Sequence, residues 1–176
     1  CRLALAFLLL SLLPLNAQIL GDLKVAFIRI SFPVGDYPGF TGSGNFEMVQ
    51  NNICGDYTID PAPHDLNYFT SHVEAVDKYF RFVSHGKFGL DLSQSIVFPI
   101  ENEGSYVIQK PMNYYNELGK EDLHEKRITE LLRDGAQAAF DIDQIDFSTF
   151  DLVAVIHPGV GQDFKLPFLD PTPEDI

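Results

Sequence analysis

Two hydrophobic periods divide the chain. Residues 23–32, Leu-Lys-Val-Ala-Phe-Ile-Arg-Ile-Ser-Phe, are β-branched and aromatic-rich with apolar side chains at both parities, and Pro33 ends the run. Apolar residues on both faces predict an interior strand of a sheet. After Asp65 the period changes: Leu66, Phe69, Val73, Val76, Phe80 and Val83 recur at spacings of three and four. That is one apolar stripe on a helix, with Asp65 as its N-cap and His85-Gly86 as its stop. Residues 87–93 and 95–99 predict strands with a bend between them, and 106–108 a further short strand between turns at Gly104 and Pro111. A second helix is predicted over 121–140, with Ile128, Leu131, Leu132, Ala136, Ala139 and Phe140 on its apolar side. Glu121, Asp122 and Glu125 in its first turns complement the helix dipole. Residues 150–156 form a second buried strand that runs into His157-Pro158-Gly159-Val160-Gly161. Most chain breakers lie in 33–64, which predicts a long loop with a short element near 46–49, and 162–176 is loop-like with Pro167, Pro171 and Pro173. Strand, helix, strands, helix, strand is the order of an α/β domain of two or three layers with a parallel or mixed sheet. There is no internal repeat.

The first residues follow neither period. Arg2 precedes Leu3-Ala4-Leu5-Ala6-Phe7-Leu8-Leu9-Leu10-Ser11-Leu12-Leu13, and Pro14-Leu15-Asn16-Ala17 follow. A positive residue, a short apolar core and a small-residue end predict a secretory signal peptide cleaved after Ala17. The run is shorter than a membrane span. The expected organisation is therefore a signal peptide over 1–17, incomplete at its start because no Met precedes it, and a folded region over 18–176. Cleavage removes Cys1 and leaves Cys54, either as a buried inert thiol or as the partner of a cysteine outside these residues.

Charge narrows the partners. Twelve Lys and Arg stand against 25 Asp and Glu, for a net charge of −13. A nucleic-acid binder needs a basic footprint that this chain lacks, and an anionic membrane surface repels it. With 45% hydrophobic and 21% charged residues, the chain has the composition of a globular protein, not of a disordered one.

Four blocks carry a family resemblance. Tyr79-Phe80-Arg81-Phe82-Val83-Ser84-His85-Gly86-Lys87-Phe88 resembles the "yFrevSyGkf" signature of the M6, or immune inhibitor A-like, family of secreted zinc metallopeptidases. The strand over 25–32 resembles the family's opening "vilvdFpd", and Met112-Asn113-Tyr114-Tyr115 resembles its Tyr-Tyr segment. Asp146-Phe147-Ser148-Thr149-Phe150-Asp151 and the strand after it resemble "vDFsnYD" leading into "viHaG.g". The blocks stand in the family's order and span about residues 23–165. The resemblance implies a zincin-like upper lobe, a mixed twisted sheet packed with two long helices. It also implies a secreted, extracellular endopeptidase that cleaves protein or peptide substrates with zinc-activated water.

The chemistry of that class needs His-Glu-x-x-His, which puts two imidazoles on one helix face and a glutamate beside the attacking water. The motif does not occur in these 176 residues. His124-Glu125-Lys126-Arg127-Ile128 is a decoy, because Ile128 stands where the second ligand must be and suits a core contact. In the family the zinc helix follows the strand that here ends at His157, so the reading places the zinc ligands beyond Ile176 and expects neither catalytic residues nor stoichiometric zinc in this portion. It also expects an apolar patch on the underside of the sheet where that helix would pack.

The resemblance puts His157 near the cleft but not among the ligands. His85 suits a helix C-terminus, while His64 and His72 read as surface or core-edge residues. Asp141, Asp143, Asp146 and Asp151 lie within eleven residues and are the candidate ligands of a weak calcium site, although their spacing is not that of an EF-hand. The alternative to the peptidase is a noncatalytic secreted module that binds protein or carbohydrate through the 33–64 loop, with Tyr37, Phe40, Phe46 and Tyr57 as its contacts.

Overall fold

A computed structural model describes residues 21–37, 40, 42–49, 61–116 and 120–159. The expected signal peptide, Cys54, Tyr57 and everything from Val160 onward lie outside the described residues.

The first predicted strand is the axis of the sheet. β1 (Gly21–Leu23) and β2 (Val25–Ser31) are separated only by Lys24. β4 (Ile96–Phe98) and β6 (Leu152–Ile156) both oppose residues 26–28 of β2 and therefore lie on its two opposite edges. β5 (Tyr106–Val107) joins β2 at Ile30 and Ser31, and β3 (Phe88–Leu90) pairs with β1. The α/β class holds, but the sheet is not mixed among the described residues: all four strand pairings are parallel. Parallel neighbours need long crossovers, and helices supply them between β2 and β3 and between β5 and β6.

Alternation along β2 divides the core into two layers. Ile28, Ile30 and Phe32 pack with Leu131, Ala139, Tyr106, Ile108 and Tyr115. Val25 and Phe27 pack with Phe69, Val73, Leu90 and Val97. β6 alternates in step, with Val153 and Val155 on the first side and Ala154 and Ile156 on the second. The result is three layers, with α1 (Leu66–Val83) on one face and α3 (His124–Asp143) on the other. The expected bare underside is therefore absent from β2, whose faces are both covered. Gly135 lets α3 approach closely, since a Cβ there would lie 3.1 Å from Ile30 Cγ2 and 3.3 Å from Val155 Cγ2.

Both helices shift from their predicted form. α3 starts after a 3₁₀ turn over Glu121–Leu123 and runs on to Asp143, where Gln144 in the left-handed region closes it. The short helix α2 (Met112–Tyr115) precedes that turn. On α1, Asp65 caps as expected, accepting from Tyr68 N at 2.9 Å. Phe69 and Val73 are buried, but Val76 and Val83 are exposed, and Phe82 is 82% exposed. The buried residue on the second half of the helix is Asp77. Its Oδ1 accepts from Leu90 N at 2.7 Å, and its Oδ2 accepts from Arg81 Nε at 3.0 Å. Arg81 reaches on to Asp22 Oδ2 and Leu90 O, each at 3.0 Å. A charged latch thus ties α1 to β1 and β3 where the period alone predicts apolar packing.

The latch needs Gly89, because a Cβ there would lie 2.6 Å from Asp77 Oδ1 and 2.7 Å from Arg81 Cζ. Burial pushes the Asp77 carboxyl up, but the bonds from Leu90 and Arg81 outweigh it and hold the group below the usual carboxylate range. A depressed folded value means that the stabilisation is complete above the unfolded value of about 4 and is lost as pH falls through the folded one. Asp77→Asn should cost about 1–3 kcal/mol at neutral pH. In urea titrations its deficit from the native chain should hold constant at neutral pH and shrink as pH falls below about 4. Gly89→Ala should also destabilise, and by less on an Asp77→Ala background, because the two share one contact.

Candidate functional site

In parallel α/β sheets, sites form where the strands end at their carboxyl side. Here β2 ends at Ser31, β5 at Val107 and β6 at Ile156, and Phe32, Ile108 and His157 are the residues that follow them. The Phe32 ring centre lies 5.9 Å from that of Tyr115 and 6.4 Å from that of His157, so residues far apart in sequence meet at this end. His157 is partly buried, and its Nδ1 lies 3.0 Å from Pro158 O.

The loop after β2 closes over the same end. Phe32 N donates to Gly44 O at 2.8 Å, Gly35 N donates to Ser43 O at 3.2 Å, and the Tyr37 hydroxyl bonds Pro33 O. Tyr37 and Phe40 are buried, and Phe46 packs edge-on against Phe69 at 4.9 Å. Of the rings expected as surface contacts, Tyr37 and Phe40 are therefore core residues and Phe46 is packed at the core's edge, because the loop turns these aromatics inward. Gly44 has φ +95°, and a Cβ there would lie 3.1–3.2 Å from Pro33 O, Phe32 Cβ and Tyr37 Cε2, so a side chain would be both strained and crowded.

Beside this end, α2 is bound to α3 through polar tips. The Tyr115 hydroxyl donates to Asp134 Oδ2 at 2.9 Å, and Lys110 Nζ reaches the same oxygen at 2.7 Å. The Tyr114 hydroxyl donates to Glu130 Oε2 at 2.7 Å, and the Arg127 guanidinium stacks 3.6 Å above the Tyr114 ring. Burial pushes the Tyr115 hydroxyl strongly up, and the Asp134 charge adds to it. Burial also pushes Asp134 up, but Lys110, Tyr115 and Arg133 together hold it below the usual range. The cluster fastens α2 to α3 through these hydrogen bonds.

On the other face of β2, Arg29 is wholly buried. It donates to Asn102 O at 2.9 Å, Pro99 O at 2.5 Å and Glu101 O at 2.6 Å, and stands 5.9 Å over the Phe69 ring. Asn102 also donates to the Asp65 cap at 3.1 Å and accepts from Leu66 N at 2.8 Å. Burial pushes the guanidinium down, and the fields of Asp65 and Glu101 oppose that. The periodic reading passes over Arg29, whose only signal is a cation inside an apolar strand.

The four aspartates are engaged separately. Asp141 accepts from Gln137 Nε2 at 2.7 Å, and Asp143 accepts from the Tyr106 hydroxyl. Asp146 caps a 3₁₀ turn through Ser148 N at 3.0 Å and Ser148 Oγ at 2.6 Å, and Asp151 accepts from Lys24 N at 2.9 Å. Among the described residues no three His, Cys, Asp or Glu side chains converge as a metal site. His124 starts α3 with Nδ1 3.2 Å from Asn116 Oδ1, while Ile128 packs against the core. His85 is exposed in the left-handed region just past α1, and the His64 and His72 rings flank Tyr68. A cavity of about 420 Å³ between the 98–101 turn and the end of α3 has Phe98, Phe150 and Ile145 in its walls, with Glu101, Asp143 and Asp146 among them. No helix among the described residues is long and apolar enough to cross a membrane.

Arg29→Met keeps the apolar stem and removes the donors to three carbonyls. It should cost about 2–4 kcal/mol by urea denaturation. Arg29→Lys should recover only part of this, since one ammonium cannot span three separate acceptors.

Compared with protein-family models, curated proteins and solved structures, the chain matches none.

Proposed function

We propose that the chain is the N-terminal portion of a secreted zinc-dependent endopeptidase and contributes one wall of a peptide cleft. The observation that supports this is a convergence. Three of the four blocks that resemble the M6 family supply Phe32, Tyr115 and His157, which meet at the carboxyl end of one parallel sheet. The fourth block supplies Arg81 of the α1 latch.

The described residues do not fit a zinc centre. In this reading the zinc ligands and the metal-dependent step belong to sequence outside these 176 residues. The present residues are positional: Phe32 and Tyr115 are buried beneath the sheet end, and the half-buried His157 stands at its rim. A noncatalytic secreted module that binds protein or carbohydrate is the second reading, and the outer edge of β5, unpaired among the described residues, favours a protein ligand.

The test is to express the reading frame extended beyond Ile176 and measure bound zinc and hydrolysis of a quenched fluorescent peptide. A single zinc per chain and chelator-sensitive cleavage are expected, with none of either for the 176-residue chain. An extension with no His-Glu-x-x-His and no zinc would sink the peptidase. In the active enzyme, His157→Ala should lower kcat/KM about tenfold with zinc content unchanged.

A further inference from the structure

β5 has one edge on β2 and no strand on the other among the described residues. Ile108 N donates to Ser31 O at 2.9 Å, and Ser31 opposes Val107 in the ladder. Backbone groups alternate in direction along a strand, so those of Tyr106 and Ile108 face β2 and the N–H and C=O of Val107 face away. Among the described residues neither group of Val107 has a hydrogen-bond partner, and Val107 is 60% exposed. Helix α3 overhangs this edge. Between them runs a groove of about 330 Å³, with Val107, Gln109 and Lys110 on the strand side and Asp134, Gln137 and Asp141 on the helix side.

The polar groups define what fits. An unpaired strand edge is complemented by an extended backbone, which offers an acceptor and a donor at the ladder spacing. The charges select further. Asp134 is neutralised by Lys110 at 2.7 Å and Arg133 at 3.0 Å. Asp141 has only the neutral Gln137 amide, at 2.7 Å, and no cation among the described residues. It leaves one uncompensated negative charge in the groove, on a chain whose net charge of −13 draws cations toward it. Exposed Ile142 gives the same end an apolar wall.

We propose that the β5–α3 groove is a strand-addition site for an extended peptide segment of a partner protein, one that carries a lysine or arginine to meet Asp141. The site uses the outer edge of β5 and the facing side of α3, not His157, and it holds whether or not the chain belongs to a peptidase.

The probe is a capped peptide of alternating valine and lysine, with binding to the full chain followed by fluorescence anisotropy and amide chemical shifts. Saturable binding is expected, with shifts centred on Val107 and Gln109. Val107→Pro removes the outward N–H and touches no bond to β2, a place where a sheet edge tolerates proline. It should weaken binding at least about tenfold with an unchanged thermal midpoint. The same peptide N-methylated at alternate amides should lose binding to the native chain, which tests the ladder without any substitution. Asp141→Lys should reverse the preference between valine–lysine and valine–glutamate peptides. No binding, or equal binding by Val107→Pro and by the N-methylated peptide, would overturn the proposal.

Discussion

The fold depends on a guanidinium buried out of contact with solvent. Arg29 lies in the middle of β2, the strand to which β4, β5 and β6 all attach, and it donates to three carbonyls of the turn between β4 and β5. An uncompensated buried charge is costly, so that turn must present its carbonyls inward. Asn102 carries the constraint to Asp65, the cap of α1. One side chain therefore sets the course of the chain between two strands and ties it to the start of the first helix.

The same division of labour recurs at the other end of α1. Apolar contacts at Phe69 and Val73 seat the first half of the helix, and the Asp77–Arg81 latch seats the second. Charged contacts are directional, so they fix the rotation of the helix while leaving Tyr79, Phe82 and Val83 in solvent. On the opposite face, Gly135 lets α3 lie close to the sheet, and α2 hangs from α3 by the tyrosine hydroxyls. The ends of β2 and β6 and the α2 ring are thereby held together, and the loop with Tyr37 and Phe40 is sealed over β2. Among the described residues β5 pairs only with β2, so its outer side keeps unpaired backbone groups beside the end of the sheet.

The sequence by itself determined the elements and their order. Apolar runs at 23–32 and 150–156, the three-and-four spacing after Asp65 and the breakers around Gly104 correspond to strands, helix and turns, because period and chain stiffness are local properties. It also located His157 at a strand end. Only the tertiary structure decided what those elements bury. Val76 and Val83 have the right spacing but no neighbour among the described residues to cover them, while Asp77 has the wrong polarity and a buried backbone N–H to satisfy. The cluster Asp141, Asp143, Asp146 and Asp151 is compact in sequence yet takes four separate partners in space, because the helix end, the 3₁₀ turn and the strand start point these carboxylates apart. Tyr37 and Phe40 read as loop aromatics until the loop is seen crossing the end of β2. Which side of β5 stays open is likewise a matter of pairing, and pairing is set by partners distant in sequence that no local pattern names.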